Sequence, residues 1–387
     1  MKRTVLALNN ISKVAENKLK ADYEFTTESN TPDAIILRSF SMHEYDLPET
    51  VLAVARAGAG TNNIPVAEYA KKGVVVFNTP GANANAVKEL VIGALIMSGR
   101  KLVDGIKWTD TLKGKGAEVG KAVESGKKAF VGKEIAGKTL GVIGLGAIGI
   151  LVANAALALG MNVVGFDTYL TTEHALRLDP KVSIAASTDD LMSVSDFVTI
   201  HIPYMESTKN TINADNIAKM KKGSAIINLA RGELVDTDAV LAALASGQLS
   251  RYVTDFPSDK LIGVENVITI PHLGASTPEA EDNCAVMAAD ELKDFLENGN
   301  IRNSVNFPSC SAPRQGACRI TVIHKNEKSV LSAITEIIGK AGLNIENFVS
   351  QSRGDYAYAI TDTTEKMSDE TVKAIAALPS VIRCRVI

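Results

Sequence analysis

The chain has 387 residues with 41 basic against 44 acidic side chains, a formal net charge of -3, and 46% hydrophobic content. The near-balanced charge leaves no electrostatic footprint for nucleic acid, and the length allows two or three domains, each with its own core. The N-terminal run Met1-Lys-Arg-Thr-Val-Leu-Ala-Leu-Asn-Asn turns polar after about five apolar residues, too short for a secretory core, and neither nucleic-acid nor membrane partners are expected. Four cysteines, Cys284, Cys310, Cys318 and Cys384, lie far apart without CxxC spacing. Free thiols in a reducing cytoplasm are therefore expected, and no metal site.

In chain order, short β-branched runs at 4–8, 34–38, 51–57 and 74–78 alternate with helix-length segments, which predicts a parallel sheet with helices on its faces. The apolar stretch 89–97 reads as a long helix bridging two lobes. Residues 107–138 are polar and rich in Lys and Gly, and read as a solvated, mobile connector. A second α/β series follows, with strands expected at 140–143, 163–166, 197–202, 225–229, 252–256 and 267–270. A helical pattern from Asn283 ends at Gly299, and 306–316 reads as a linker. The remainder gives strand, helix, two strands, helix and strand, the βαββαβ order of a ferredoxin-like unit.

The second series opens on Gly144-Leu-Gly-Ala-Ile-Gly149, entered by an apolar strand and left by an alanine-rich helix, with Asp167 closing the next strand. In such a βαβ unit Gly144 permits the tight turn, Gly146 lets backbone approach a pyrophosphate, and Gly149 allows close helix packing. The phosphates then face the free amides and positive dipole end of the helix. A carboxylate at Asp167 accepts ribose hydroxyls and repels a 2′-phosphate, which favours NAD over NADP.

Ligands of doubly wound sheets bind beyond the carboxyl ends of the strands, where four polar residues stand: His201, Arg231, Asp255 and His272. The planar fork of Arg231 suits a substrate carboxylate, against the plainer alternative of an ion pair with Glu233 or Asp236. His272 follows a strand-ending proline, and imidazole suits removal of a hydroxyl proton while hydride leaves the same carbon. His201 occupies a similar strand end, and position alone does not choose between the two.

The ordered blocks GLGAIG, HIP, NLARGELVD, the TD pair ending at Asp255, and PHLGAST resemble the D-isomer-specific 2-hydroxyacid dehydrogenase family over nearly the whole chain. Earlier blocks agree: ILRS at 36–39, ARAGAG at 55–60 with Asn63, NTP at 78–80 and AVKEL at 86–90. The resemblance implies an NAD-dependent oxidoreductase acting on a small-molecule substrate, D-3-phosphoglycerate, converted to 3-phosphohydroxypyruvate at the entry to serine synthesis. It implies that Arg231 orients the carboxylate, that His272 is the acid/base, and that the lobes close on the substrate. For the cofactor it implies Gly144, Gly146, Ala147, Ile148, Gly149, Asp167, His201, Pro203, Ala230, Asp255 and Gly274. For the substrate it implies Arg38, Ser39, Arg56, Asn63 and backbone amides around Ala57 and Gly58. The family's alternatives are a dehydrogenase for glycerate/hydroxypyruvate or 2-hydroxyglutarate, or an NADH-sensing binding protein.

Two positions depart from the family pattern. The glutamate that partners the histidine is matched only by the shorter Asp259, and Ala147 stands where many relatives carry arginine. The C-terminal segment resembles an ACT regulatory domain, which implies serine as a possible effector at His324, Asn326 and Asn344, and a homo-oligomer. The expected architecture is α/β: two Rossmann/flavodoxin-like doubly wound parallel-sheet lobes plus a ferredoxin-like (ACT) domain. The expected boundaries are 1–94 with 282–308 for the substrate-binding lobe, 95–281 for the NAD-binding domain, 309–317 for a linker and 318–387 for the regulatory domain.

Overall fold

The computed structural model describes residues 2–387. The chain divides into two compact units, 1–83 with 278–387, and 84–277. Among the described residues, no helix is long and apolar enough to cross a membrane.

The first unit starts with β1 (Arg3–Leu8), β2 (Tyr23–Thr26), β3 (Ala34–Leu37), β4 (Ala53–Arg56) and β5 (Val75–Asn78). They form one parallel sheet in the order β2-β1-β3-β4-β5, the flavodoxin-like plan. Short β2, with a single buried position, gives no clear alternation in the sequence.

The second unit holds β6 (Thr139–Ile143), β7 (Asn162–Phe166), β8 (Ser183–Ile184), β9 (Phe197–Ile200), β10 (Ser224–Asn228), β11 (Leu249–Thr254) and β12 (Val267–Thr269). All pair in parallel in the order β12-β11-β10-β9-β6-β7-β8, so the strand order reverses between β6 and β9. Residues 107–138 are not a simple connector: they include the last turn of a helix, Leu102–Asp110, and the whole of a second, Val119–Gly126. Trp108 packs on Phe130 with ring centroids 5.2 Å apart, and buried Arg251 of β11 holds Asp104 at 2.8 Å. The stretch is solvated as its composition suggests, with Leu112 its one buried residue, but it is helical in part and joined to the unit by the Trp108–Phe130 contact.

The C-terminal segment forms β13 (Cys318–Lys325), β14 (Ile345–Arg353), β15 (Tyr356–Thr363) and β16 (Val381–Val386), an antiparallel sheet in the order β14-β15-β13-β16. It groups with the first unit rather than standing apart. One face of this sheet carries two helices; from the other, Ile323, Tyr358 and Ile360 join the core that holds Phe77, Phe295 and Phe307. Residues 309–317 likewise form no free linker. Cys310 and Ile301 exchange backbone hydrogen bonds at 2.8 and 2.9 Å, and Phe307, Cys310 and Ala312 are buried.

Helix Pro278–Asn298 explains the docking. The last carbonyls of a helix have no intrahelical partner and carry the negative dipole end. Here Phe295 O accepts from Arg385 at 2.5 Å, Leu296 O from Arg3, Asn298 O from Arg319 at 2.8 Å, and Gly299 O from the Tyr358 hydroxyl at 2.6 Å. Three of these four donors belong to the C-terminal sheet. Arg319 also forms a forked pair with Asp362 at 2.6 and 2.7 Å, both side chains fully buried. Burial alone would lift the Asp362 carboxyl, but hydrogen bonds from Arg319 and the Gln315 N–H outweigh it and hold the group below its ordinary value.

Removing one partner of a buried pair strands the other charge, so D362N is expected to cost about 3 to 5 kcal/mol in urea denaturation at neutral pH. Because the folded carboxyl is depressed, this stability is present above the unfolded value of roughly 3.9 and is lost as pH falls further. The gap between wild type and D362N is therefore expected to close below about pH 4.

Candidate active site

In the second unit the fingerprint loop leaves β6 beside the β6/β9 reversal. Gly144 has φ +91°, and a Cβ there would lie 2.7 Å from the His201 carbonyl oxygen. A Cβ at Gly149 would strike the carbonyl of Gly144, so helix Ala147–Ala158 lies directly on the turn. Around Gly146, by contrast, there is open space, and no side chain caps the helix. Ala147 and Ile148 begin that helix with their amides toward the opening. Asp167, one residue beyond β7, accepts the Leu145 and Tyr169 N–H groups, each at 2.7 Å, which fixes its carboxylate at the loop.

The other strand ends of this unit carry the remaining candidate residues. His201, just past β9, lies 3.0 Å from Thr199 Oγ1 through Nε2, while its Nδ1 is sealed from water without a partner. Burial pushes this imidazole down to about 3, so it stays neutral at working pH. Pro203 is exposed beyond it and accepts from Thr208 Oγ1 at 2.9 Å.

Arg231 follows β10 on a turn tied by Asn228, whose side chain donates to Arg231 O at 2.8 Å and accepts from Ala230 N at 3.1 Å. Its guanidinium is exposed and donates to Ala230 O at 2.6 Å. Among the described residues no carboxylate forms an ion pair with it. Asp236 instead caps the helix Thr237–Ala245. The plainer alternative for Arg231 is thereby removed.

Asp255, immediately after β11, is 1% exposed. Burial raises its pKa, opposed by the charge of His272, the Gly274 N–H and the charge of Arg231. Oδ2 accepts from Gly274 N at 3.3 Å, while Oδ1 is buried without a partner. His272, beyond β12, is exposed and stacks with Phe256, ring centroids 4.8 Å apart. Asp259 is exposed, and among the described residues no hydrogen bond joins it to His272. The carboxylate whose charge interacts with His272 is Asp255. Phe256 was not legible as a partner, since nothing in the sequence marks an aromatic for a histidine on another strand.

These features fit a dinucleotide. An uncapped helix N-terminus with open space at Gly146 suits a pyrophosphate, and an orphaned carboxylate oxygen at Asp255 suits an amide donor.

In the first unit Arg38, just past β3, pairs with Glu281 of helix Pro278–Asn298, and Arg56 ends β4 with Nε donating to Arg38 O at 3.1 Å. Asn63 donates to Arg38 O and Phe40 O at 3.2 and 2.7 Å, and Ser39 Oγ accepts from Asn9 at 2.8 Å. The amides of Ala57 and Gly58 are already bonded, to Leu37 O at 2.7 Å and Arg56 O at 2.8 Å, so neither is open to a ligand as the loop stands.

The C-terminal sheet separates its three candidates. His324, 2% exposed, has Nδ1 2.7 Å from Lys325 O and an unpartnered Nε2. Asn326 donates to Gly354 O at 3.0 Å at the same end of the sheet. Asn344 precedes β14, whose first residue pairs with Thr363, whereas His324 pairs with Ala357. The six-residue offset puts Asn344 about 20 Å from His324, at the opposite end.

The model of the D-isomer specific 2-hydroxyacid dehydrogenase NAD-binding domain matches residues 93–274. D-3-phosphoglycerate dehydrogenase of Escherichia coli K12 is 34% identical over 353 residues, covering 88% of this chain and 82% of that protein. The enzyme of the same name from Methanocaldococcus jannaschii is 35% identical over 73% of this chain and 53% of its own length. Among solved structures, NAD+-bound 3-phosphoglycerate dehydrogenase of Entamoeba histolytica superposes with a TM-score of 0.62 at 26% identity, covering 79% of this chain and 99% of that one. D-mandelate dehydrogenase of Rhodotorula graminis gives 0.67 at 24% identity, over 81% and 100% of the two chains, and shares the fold.

The two loop glycines are expected to fail differently. G149A drives a Cβ into the Gly144 carbonyl and lowers the melting temperature by several degrees as well as abolishing NADH binding. G146A meets no protein atom, so its melting temperature stays near wild type while NADH affinity in a fluorescence titration falls by about tenfold or more.

Proposed function

We propose that this chain, which belongs to the D-isomer-specific 2-hydroxyacid dehydrogenase family, oxidises D-3-phosphoglycerate to 3-phosphohydroxypyruvate. NAD, when bound, accepts the hydride from C2. The observation that carries the reading is an arginine without a carboxylate partner set beside a histidine and a buried aspartate on neighbouring strand ends of a fingerprint-bearing sheet. Arg231 holds the substrate carboxylate in a two-pronged contact and steadies the oxygen on which carbonyl character develops. His272 takes the hydroxyl proton, and the Asp255 charge favours the imidazolium that results. Arg38 and Arg56 are assigned the phosphate, and Asp167 the ribose hydroxyls.

The C-terminal sheet is assigned as an ACT-type regulatory module with serine as effector. The separation of His324 and Asn326 from Asn344 requires a second copy of the chain to bring all three to one ligand, which accords with a homo-oligomer.

The test is NADH consumption by the purified protein with 3-phosphohydroxypyruvate, hydroxypyruvate and 2-oxoglutarate. Selective use of the phosphorylated acid is expected; equal use of hydroxypyruvate would assign the chain to a different member of the family. R231A is expected to lower kcat/KM by about a hundredfold or more, the scale of a lost transition-state donor, and unchanged activity would remove Arg231 from the site. H201Q is expected to keep the alkaline limb of the pH–rate profile, where the proton donor of the reduction is lost, at the wild-type position, because His201 does not titrate above about pH 3. A limb displaced by a unit or more would instead make His201 the base.

A further inference from the structure

A base that takes a proton in step with hydride departure must present one ring nitrogen at a fixed angle, and a third group has to hold it there. Among the described residues, no hydrogen bond reaches either nitrogen of His272, and Asp259 is exposed on the loop beyond Phe256. The group that does meet the imidazole is the Phe256 ring, its centroid 4.8 Å away and its plane inclined by 56°.

Phe256 is itself held. Its N–H donates to Thr254 Oγ1 at 3.1 Å, and its Cβ lies where a side chain at Gly232 would press on it, next to Arg231. The residue before it, Asp255, is buried with its charge acting on both His272 and Arg231. One short segment, Thr254 to Phe256, therefore governs the histidine by two means. The aromatic ring packed on the imidazole limits its rotation, and the buried carboxylate supplies negative charge without a direct hydrogen bond.

We propose that Phe256 is the positioning residue for His272, taking the orienting role that a hydrogen-bonded carboxylate fills in other histidine bases. The inference rests on the reading of His272 as the acid/base. It assigns Phe256 an effect on turnover rather than on ligand affinity, since the ring touches the histidine and is not required to touch the cofactor.

The experiment is steady-state kinetics of F256L, F256Y and D259N in the NADH-consuming direction with 3-phosphohydroxypyruvate, together with an NADH fluorescence titration of each. F256L is expected to lose kcat tenfold or more, with KM and Kd for NADH within twofold of wild type. F256Y is expected to recover kcat to within threefold, and D259N to lose less than F256L. F256M, which keeps volume without a ring face, replaces F256L should that variant not fold, with the same loss expected. Wild-type kcat in F256L, a loss carried by KM alone, or a larger loss in D259N than in F256L would each overturn the proposal while leaving the dehydrogenase reading intact. A wild-type protein that turns over no 2-oxo acid would sink both together.

Discussion

Helix Ala147–Ala158 lies against the carbonyl of Gly144 with no room for a Cβ at Gly149, and most of the second unit's chemistry follows from that contact. Close approach brings the uncapped helix amides to the mouth of the β6/β9 reversal, where the positive dipole end meets open space at Gly146. It also brings the loop against the backbone of His201, whose N–H donates to Ile143 O at 2.7 Å. Pinned and desolvated, that histidine is locked neutral. His272, the residue proposed as the acid/base, lies three strands away in the sheet, where Asp255 and Phe256 stand.

The first unit is organised by the 21-residue helix Pro278–Asn298, a rod of roughly 30 Å. Its first turn places Glu281 on Arg38, one of the two arginines assigned to the phosphate. Its last turn is covered by guanidiniums, with Arg385 also stacked 4.2 Å from the Phe295 ring. The C-terminal sheet therefore supplies the helix end with donors that water would otherwise provide, and shares its core. It is part of the unit's framework rather than a bead on a tether.

The parts legible in the sequence were those where one local rule left few alternatives. Three glycines at fixed offsets between a strand and a helix predicted the loop, and β-branched runs predicted ten of the twelve parallel strands to within a few residues and split none; β2, β8 and the first residues of β11 were lost because pairing, not pattern, makes them. The parts not legible depend on distant partners. Arg319 and Asp362 are 43 residues apart, and nothing local marks them as a buried pair. Lys- and Gly-rich composition hid the helices that Trp108 and Arg251 anchor. Asp259 was named by resemblance, and it stands exposed without a hydrogen bond to His272 among the described residues. The split of His324 from Asn344 was available in principle: two strands each antiparallel to β15 run the same way, so the end of one and the start of the other lie at opposite edges.

Arg231 and His272 are read as serving a hydride transfer to and from C2 of a D-2-hydroxy acid, and isotopic labelling addresses that step itself. Incubation with NADH carrying deuterium at both C4 positions and 3-phosphohydroxypyruvate, followed by mass and chiral analysis of the product, is expected to give D-3-phosphoglycerate with deuterium at C2. Product without label, label in the L-acid, or no product from protein that binds NADH would contradict the account.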